Sequence, residues 1–339
     1  MMKRFIKQFI GFQLFLAVPI TLLLILYVYF DPFKVIYSYS DYSFPYVISN
    51  RDYISTEVFM KNISKYKYDS FIFGSSRTLA YRPSEWSKYL DEKAKPFMFD
   101  ASGESIYGIY TKLKYLDLAD VKINNALIII DNDCSFSQSE NHKGHLFIKH
   151  PITSKESNLD FHIQFIKAYF SPNFILKYYS YLILKEYKPF MVGIIENRKI
   201  AFDTITNEIH IIDQETEISQ KPTEYYLKRI NIFYERKGEQ IDSMQRINSK
   251  QLIMLNEIKR ILQKNNTNYK VVISPLYNQT KFSNPDMSIL KNIFDKNLFD
   301  FSGKNKYTNS KTNYYETSHY RPVVGDSILN IIYNKYALR

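Results

Sequence analysis

The sequence predicts an α/β protein: a parallel sheet of about five strands flanked by helices, with an inserted mainly helical lobe and an N-terminal transmembrane helix. Three observations predict it. Short apolar runs alternate with amphipathic stretches of helical period. A charge-free run of about twenty residues stands near the N-terminus. Over residues 142–238 the alternation stops and aromatic helical stretches take over. With 339 residues, 45% hydrophobic and 17% aromatic, the chain can bury one sizeable core carrying an insertion.

Residues 10–30 (IGFQLFLAVPITLLLILYVYF) carry no charge and are apolar on all sides. Lys3, Arg4 and Lys7 precede them, so the positive-inside rule keeps the short tail in the cytoplasm. The run is too long for a signal-peptide core, and no small-x-small cleavage site follows. Residues 1–31 therefore read as a tail and an uncleaved signal anchor in the cytoplasmic membrane. The C-terminal part is expected outside the cytoplasm, periplasmic or extracellular. Pro19 should kink the helix. Residues 32–52, rich in Tyr and Ser, read as a tether, and 53–339 as the folded domain.

That domain opens with a helix over 54–66. Strand candidates follow at 70–73 (SFIF), 96–100 (PFMFD), 126–131 (ALIIID), 269–275 (YKVVISP) and 297–303 (NLFDFSG). Between them lie a short helix containing Trp86 and helices near 106–118, 249–263 and 287–294. The helix over 249–263 should bury Leu252, Leu255, Ile258 and Leu262. A last helix runs over about 322–336. Within the lobe, KIAFD-TITN-EIHIID reads as a hairpin.

The single cysteine, Cys134, excludes an internal disulfide and a CxxC metal site. The net charge of +11 is spread along the chain without a basic block, which argues for a solvated surface and against a nucleic-acid partner. His142, His145 and His150 stand close together, but Gly144 and Pro151 place them in a loop with no third acidic ligand at a compelling distance. No metal or cofactor is expected.

In open parallel sheets chemistry gathers at the carboxyl ends of the strands. After the first strand comes Gly74-Ser75-Ser76-Arg77, after the second Ser102-Gly103, after the third Asp131-Asn132-Asp133, and after the fifth Glu316-Thr317-Ser318-His319. A hydroxyl, a glycine, an amide and a histidine on one edge are the parts of a serine acyl-transfer site.

These four blocks resemble the SGNH (GDSL-like) hydrolase superfamily. Within it they look like the membrane-anchored proteins of alginate O-acetylation and teichoic-acid D-alanylation. The resemblance spans residues 70–329 and leaves the lobe uncovered. It implies Ser76 as nucleophile, His319 as base, Glu316 as orienting acid, and Gly103 and Asn132 as oxyanion donors beside the Ser76 N–H. Ser75 stands where the family has Asp, Ile130 where its third block has Gly, and Glu316 where its last block has Asp. Asp300 is the spare acid.

A family-style Gly-Asp-Ser also occurs at 325–327, but only twelve residues follow Ser327, too few for the other blocks. Val324, Ile328 and Ile331 fall on one helical face, so Ser327 is expected inside a helix, doing no chemistry.

The residue types carry the mechanism. A serine hydroxyl needs a base to take its proton, and imidazole serves near neutral pH. A carboxylate three residues earlier holds the tautomer. Each oxyanion donor is worth roughly 3 kcal/mol of transition-state stabilisation. The expected activity is acyl transfer or ester hydrolysis, with acetyl favoured, on envelope or exported polysaccharide. The resemblance also implies a multi-spanning membrane partner that delivers the acyl group. The alternative is a non-catalytic binding component of an envelope polysaccharide assembly complex on the same fold.

Overall fold

The computed structural model describes residues 2–43 and 46–334 of the chain. The strands in chain order are β1 (Ser70–Gly74), β2 (Pro96–Met98), β3 (Asn125–Ile130), β4 (Ile200–Phe202), β5 (Ile209–Ile211), β6 (Gln240–Ile241), β7 (Asn268–Ile273), β8 (Thr280–Lys281), β9 (Leu298–Asp300), β10 (Tyr314–Glu316) and β11 (His319–Tyr320). The helices are α1 (Met2–Phe30), α2 (Arg51–Tyr66), α3 (Pro83–Trp86), α4 (Ile106–Leu118), α5 (Pro151–Ser154), α6 (Asn158–Tyr169), α7 (Pro172–Leu184), α8 (Ile212–Gln220), α9 (Pro222–Lys228), α10 (Ser249–Lys264), α11 (Asn284–Phe294) and α12 (Pro322–Tyr333).

Five strands form one parallel sheet in the order β2-β1-β3-β7-β9. This is a doubly wound order that reverses between β1 and β3, where a crevice opens at the carboxyl edge. Residues 71–73 of β1, 126–130 of β3 and 271–273 of β7 are apolar because both faces are covered there. Phe71, Phe73, Ile128 and Val271 face α2, α4, α10 and α11. Ile72, Leu127, Ile129 and Val272 face α3 and α12. The strand predicted over 96–100 ends at Met98 by regular pairing, although the Phe99 N–H still donates to Ile72 O at 2.8 Å. On α10 the buried set is Leu255, Ile258, Ile261 and Leu262, while Leu252 is exposed at the first turn. On α12, Val324 and Ile328 are buried as expected, but Leu329 and Ile332 complete the stripe and Ile331 is only partly covered. The predicted extension of this helix through Lys335 and Tyr336 lies outside the described residues.

One N-terminal helical segment, Arg4–Phe30, has a mean hydropathy of 2.5 and is long and apolar enough to cross a membrane or to serve as a signal sequence. The helix runs unbroken through Pro19.

The stretch predicted as a tether is packed. The Asp31 carboxylate accepts the backbone N–H groups of Val35, Ile36 and Tyr37 at 2.9, 3.0 and 3.1 Å, and the Tyr39 hydroxyl at 3.0 Å. Phe33, Val35, Tyr42 and Val47 are buried. So many large apolar side chains favour docking over a free linker. Phe44 and Pro45 of that stretch lie outside the described residues.

The region between β3 and α10 folds in two parts. Helices α6 and α7 pack on the end of α1 through Tyr27, Phe33, Phe165, Tyr169 and Phe174. The expected hairpin forms as β4–β5, with Ile200 opposite Ile211, and its turn docks on the sheet edge through Asn207.

Candidate functional site

Ser76 owes its position to the residue before it. Gly74 ends β1, and Ser75 turns the chain in an extended conformation and caps a short 3-10 turn, Ser76–Ala80. The Ser75 hydroxyl donates to buried Asp131 at 3.2 Å, across the β1–β3 crevice. The capping role that a Gly-Ser-Ser motif can play thus falls to Ser75. Ser76, the first residue of the turn, keeps its side chain for other contacts.

The Glu316-x-x-His319 spacing becomes a tight antiparallel hairpin. Thr317 and Ser318 form its turn, and Glu316 and His319 are directly opposed on β10 and β11. Opposed residues of a hairpin project to the same side. The Glu316 carboxylate therefore meets His319 Nδ1 and also accepts the Ser318 N–H at 2.6 Å. His319 Nε2 lies 2.7 Å from Ser76 Oγ. Hydroxyl, imidazole and carboxylate form one chain, with both imidazole nitrogens engaged. Burial pushes the Glu316 carboxyl up. The hydrogen bond and charge of His319, with lesser help from the Ser318 N–H and Arg77, outweigh it and hold the carboxyl below its ordinary value.

Three long-range contacts fix this hairpin. Tyr225 on α9 donates to Tyr315 O at 2.9 Å, Tyr226 donates to Tyr314 O at 3.0 Å, and the Tyr320 hydroxyl lies 3.2 Å from Ser274 Oγ beyond β7.

Ser76 and His319 open on a cavity of about 320 Å³. Gly103 lines it beside Ser102, in the left-handed region at φ +55° with Phe147 against it. The hairpin residues Ile200, Phe202, Ile209 and Ile211 give it an apolar wall, and Arg198 and Glu196 close one side as a pair at 2.9 Å.

Asn132 and Asp300 stand apart. The Asn132 amide donates to Asp242 at 3.2 Å, its carbonyl oxygen is buried without a partner among the described residues, and it lines a separate depression with Asp133 and Arg246. Asp300 accepts the N–H and hydroxyl of Ser302 at 2.9 and 2.5 Å, so Glu316 is the carboxylate that His319 meets. Ser327 sits within α12 with its hydroxyl 2.9 Å from that of Tyr307.

Arg77 is buried and ion-paired to the exposed carboxylate of Asp133 at 2.5 Å. Burial works against its charge, but Asp131, Cys134 and Asp133 outweigh burial and hold the guanidinium above its ordinary value. The same burial, with Asp131 adding to it, pushes the Cys134 thiol up, which disfavours the thiolate.

Sequence reasoning missed the floor of the cavity. Arg51 and Asp100 form a buried pair at 2.8 Å, and beside them Lys112 bridges Asp52 and Glu104 at 2.9 and 2.8 Å. Only the rarity of such residues in apolar surroundings hinted at them. His150 caps α5 and lies 3.1 Å from Glu57. No group of three or more metal-ligating side chains occurs among the described residues. Neither a family model nor a curated protein matches the chain.

Proposed function

We propose that this chain is a membrane-anchored serine acyltransferase or esterase of SGNH type, acting on hydroxyl groups of an envelope or exported polysaccharide from outside the cytoplasmic membrane. One observation carries the reading: Ser76 Oγ, His319 and Glu316 form an aligned hydrogen-bonded chain at the mouth of a cavity. The doubly wound sheet and the order of the blocks along it agree with the resemblance.

In this reading Ser76 Oγ attacks the donor carbonyl while His319 Nε2 takes its proton. Glu316 stabilises the imidazolium. The tetrahedral oxyanion is held by backbone N–H groups at Ser76 and Gly103. Asn132 gives one amide hydrogen to Asp242 and lines a separate depression, so no third donor is assigned. The intermediate collapses, the leaving oxygen takes the proton from His319, and the acyl group remains on Ser76. An acceptor hydroxyl, deprotonated by His319, then attacks the ester and frees the serine. Transfer and hydrolysis differ only in whether sugar or water is that acceptor. The cavity exceeds what an acetyl group fills, so a longer acyl chain or part of the acceptor occupies the rest.

The test is intact mass after incubating the full chain, in detergent, with an activated acetyl ester. One acetyl group should be gained by the wild type and by Ser327→Ala, and none by Ser76→Ala. An adduct that survives in Ser76→Ala would exclude this serine.

A further inference from the structure

We infer that the α6–α7 unit is a second membrane contact, resting in the lipid headgroup and acyl boundary beside α1. The inference rests on reading α1 as a membrane span. Helix α7 is apolar on two sides. Phe174 and Tyr178 face the lobe's core. Leu176, Ile183 and Leu184 face outward, with Leu176 62% and Ile183 79% exposed, and Val192 is exposed just beyond. Leu176, Ser180, Ile183 and Leu184 follow a helical stripe. An outward apolar stripe opposite a buried face, with Asn173 and Lys177 as polar residues at its margin, suits a lipid boundary.

The occupant is decided by what the lobe holds. The Tyr27 ring of α1 packs on Tyr169 at 5.0 Å, and Phe30 lies 6.5 Å from Tyr178. Leu23 also packs against this cluster. Along a helix rising about 1.5 Å per residue, Tyr27 lies about 4.5 Å and Leu23 about 10 Å before Phe30. The run 10–30 is about 31 Å long, which matches the hydrocarbon core, so Phe30 sits at its edge. Side chains that touch Tyr27 and Leu23 must then lie about 5–10 Å deep. That is the depth at which interfacial helices bury their apolar face. Exposed Lys167 and Lys185 on the same unit suit anionic headgroups.

The test uses the full chain in liposomes containing lipids brominated on the upper acyl chain, with tryptophan as the probe. The sole native tryptophan, Trp86, is fully buried between sheet and α12 and gives a low-quenching baseline. Leu176→Trp and Ile183→Trp should be quenched severalfold more than Leu118→Trp. Leu118 is 64% exposed but ends α4 just before β3 begins, at the opposite edge of the sheet. Ile20→Trp, within α1, should also be quenched well above the Leu118→Trp level. Quenching at Ile20 with none at Leu176 or Ile183 would overturn the lipid contact and leave the stripe to a protein partner. Absence of quenching at Ile20 would overturn the span itself and the inference with it. All four substitutions are at exposed positions, so folding is retained.

Discussion

The glycine of the Gly-Asp-Ser triplet at 325–327 supports the site without taking part in its chemistry. Gly325, in the first turn of α12, lies so close to Ala80 that an added Cβ would stand 1.9 Å from Ala80 O and 2.6 Å from its carbonyl carbon. Ala80 closes the turn that Ser76 opens. Because backbone atoms stand in the way, no side-chain rotation relieves Gly325→Ala. Reaching ordinary contact of about 3.4 Å requires α12 and the turn to part by about 1.5 Å. Overpacking of a core costs about 1–3 kcal/mol, and a backbone clash belongs at the upper end. Release of α12 altogether would expose Val324, Ile328, Leu329 and Ile332, each worth about 1.5–3 kcal/mol, so the chain yields by strain first. A loss of about 3 kcal/mol corresponds to a drop of about 6 °C in Tm at roughly 2 °C per kcal/mol for a large domain. Trp86 is the reporter, because its indole N–H donates to the Tyr333 hydroxyl at the end of α12 at 2.8 Å. Ser327→Ala in the same helix removes one half-buried hydroxyl pair and should cost about 1 kcal/mol or less. A Gly325→Ala protein that melts within a degree of wild type would refute this account of the triplet.

Three further outcomes are expected. Glu316→Gln should slow formation of the Ser76 acyl adduct about 10²–10⁴-fold, whereas Asp300→Asn should leave it unchanged; equal loss in both would show that the wrong carboxylate has been named. Burial pushes the Asp52 carboxyl up, but the charges of Lys112 and Lys149 and the His150 N–H outweigh it and hold its pKa at about 2, below the ordinary value. The stability this lends is present above the unfolded value near pH 4 and is lost as pH falls through 2. Asp52→Asn should therefore lower Tm at neutral pH and flatten its fall between pH 4 and 2, and an unaltered acid profile would exclude the effect. Tyr225→Phe removes a bond to the backbone of the His319 hairpin; adduct formation should slow severalfold with a stability loss of about 1 kcal/mol, and an unchanged rate would mean the hairpin holds its geometry without α9.

The sheet was legible because alternate residues of each apolar run serve opposite cores, as Phe71, Ile72 and Phe73 do. The pairing of Glu316 with His319 was legible because three residues of separation close a hairpin within one local segment. Contacts across long stretches of chain were not. Asn132 reads as a donor beside a strand end, yet its amide meets Asp242, 110 residues away. Arg51 and Asp100 pair across 49 residues and gave no local signal. Residues 32–52 have the polar and hydroxyl content of a linker, but Asp31 turns the chain back and the aromatic side chains find a lobe more than a hundred residues further on.

That turned-back segment limits where the protein can work. A free leash of 21 residues would let the domain wander over roughly 25 Å and tilt in any direction. Docked as they are, the described residues of the segment act as a collar, and with α1 in a bilayer they restrain the height and angle of the Ser76 cleft above the surface. For the proposed function, the acceptor would have to enter a thin slab of space parallel to the membrane, and lengthening or shortening the collar would change which part of it is reached.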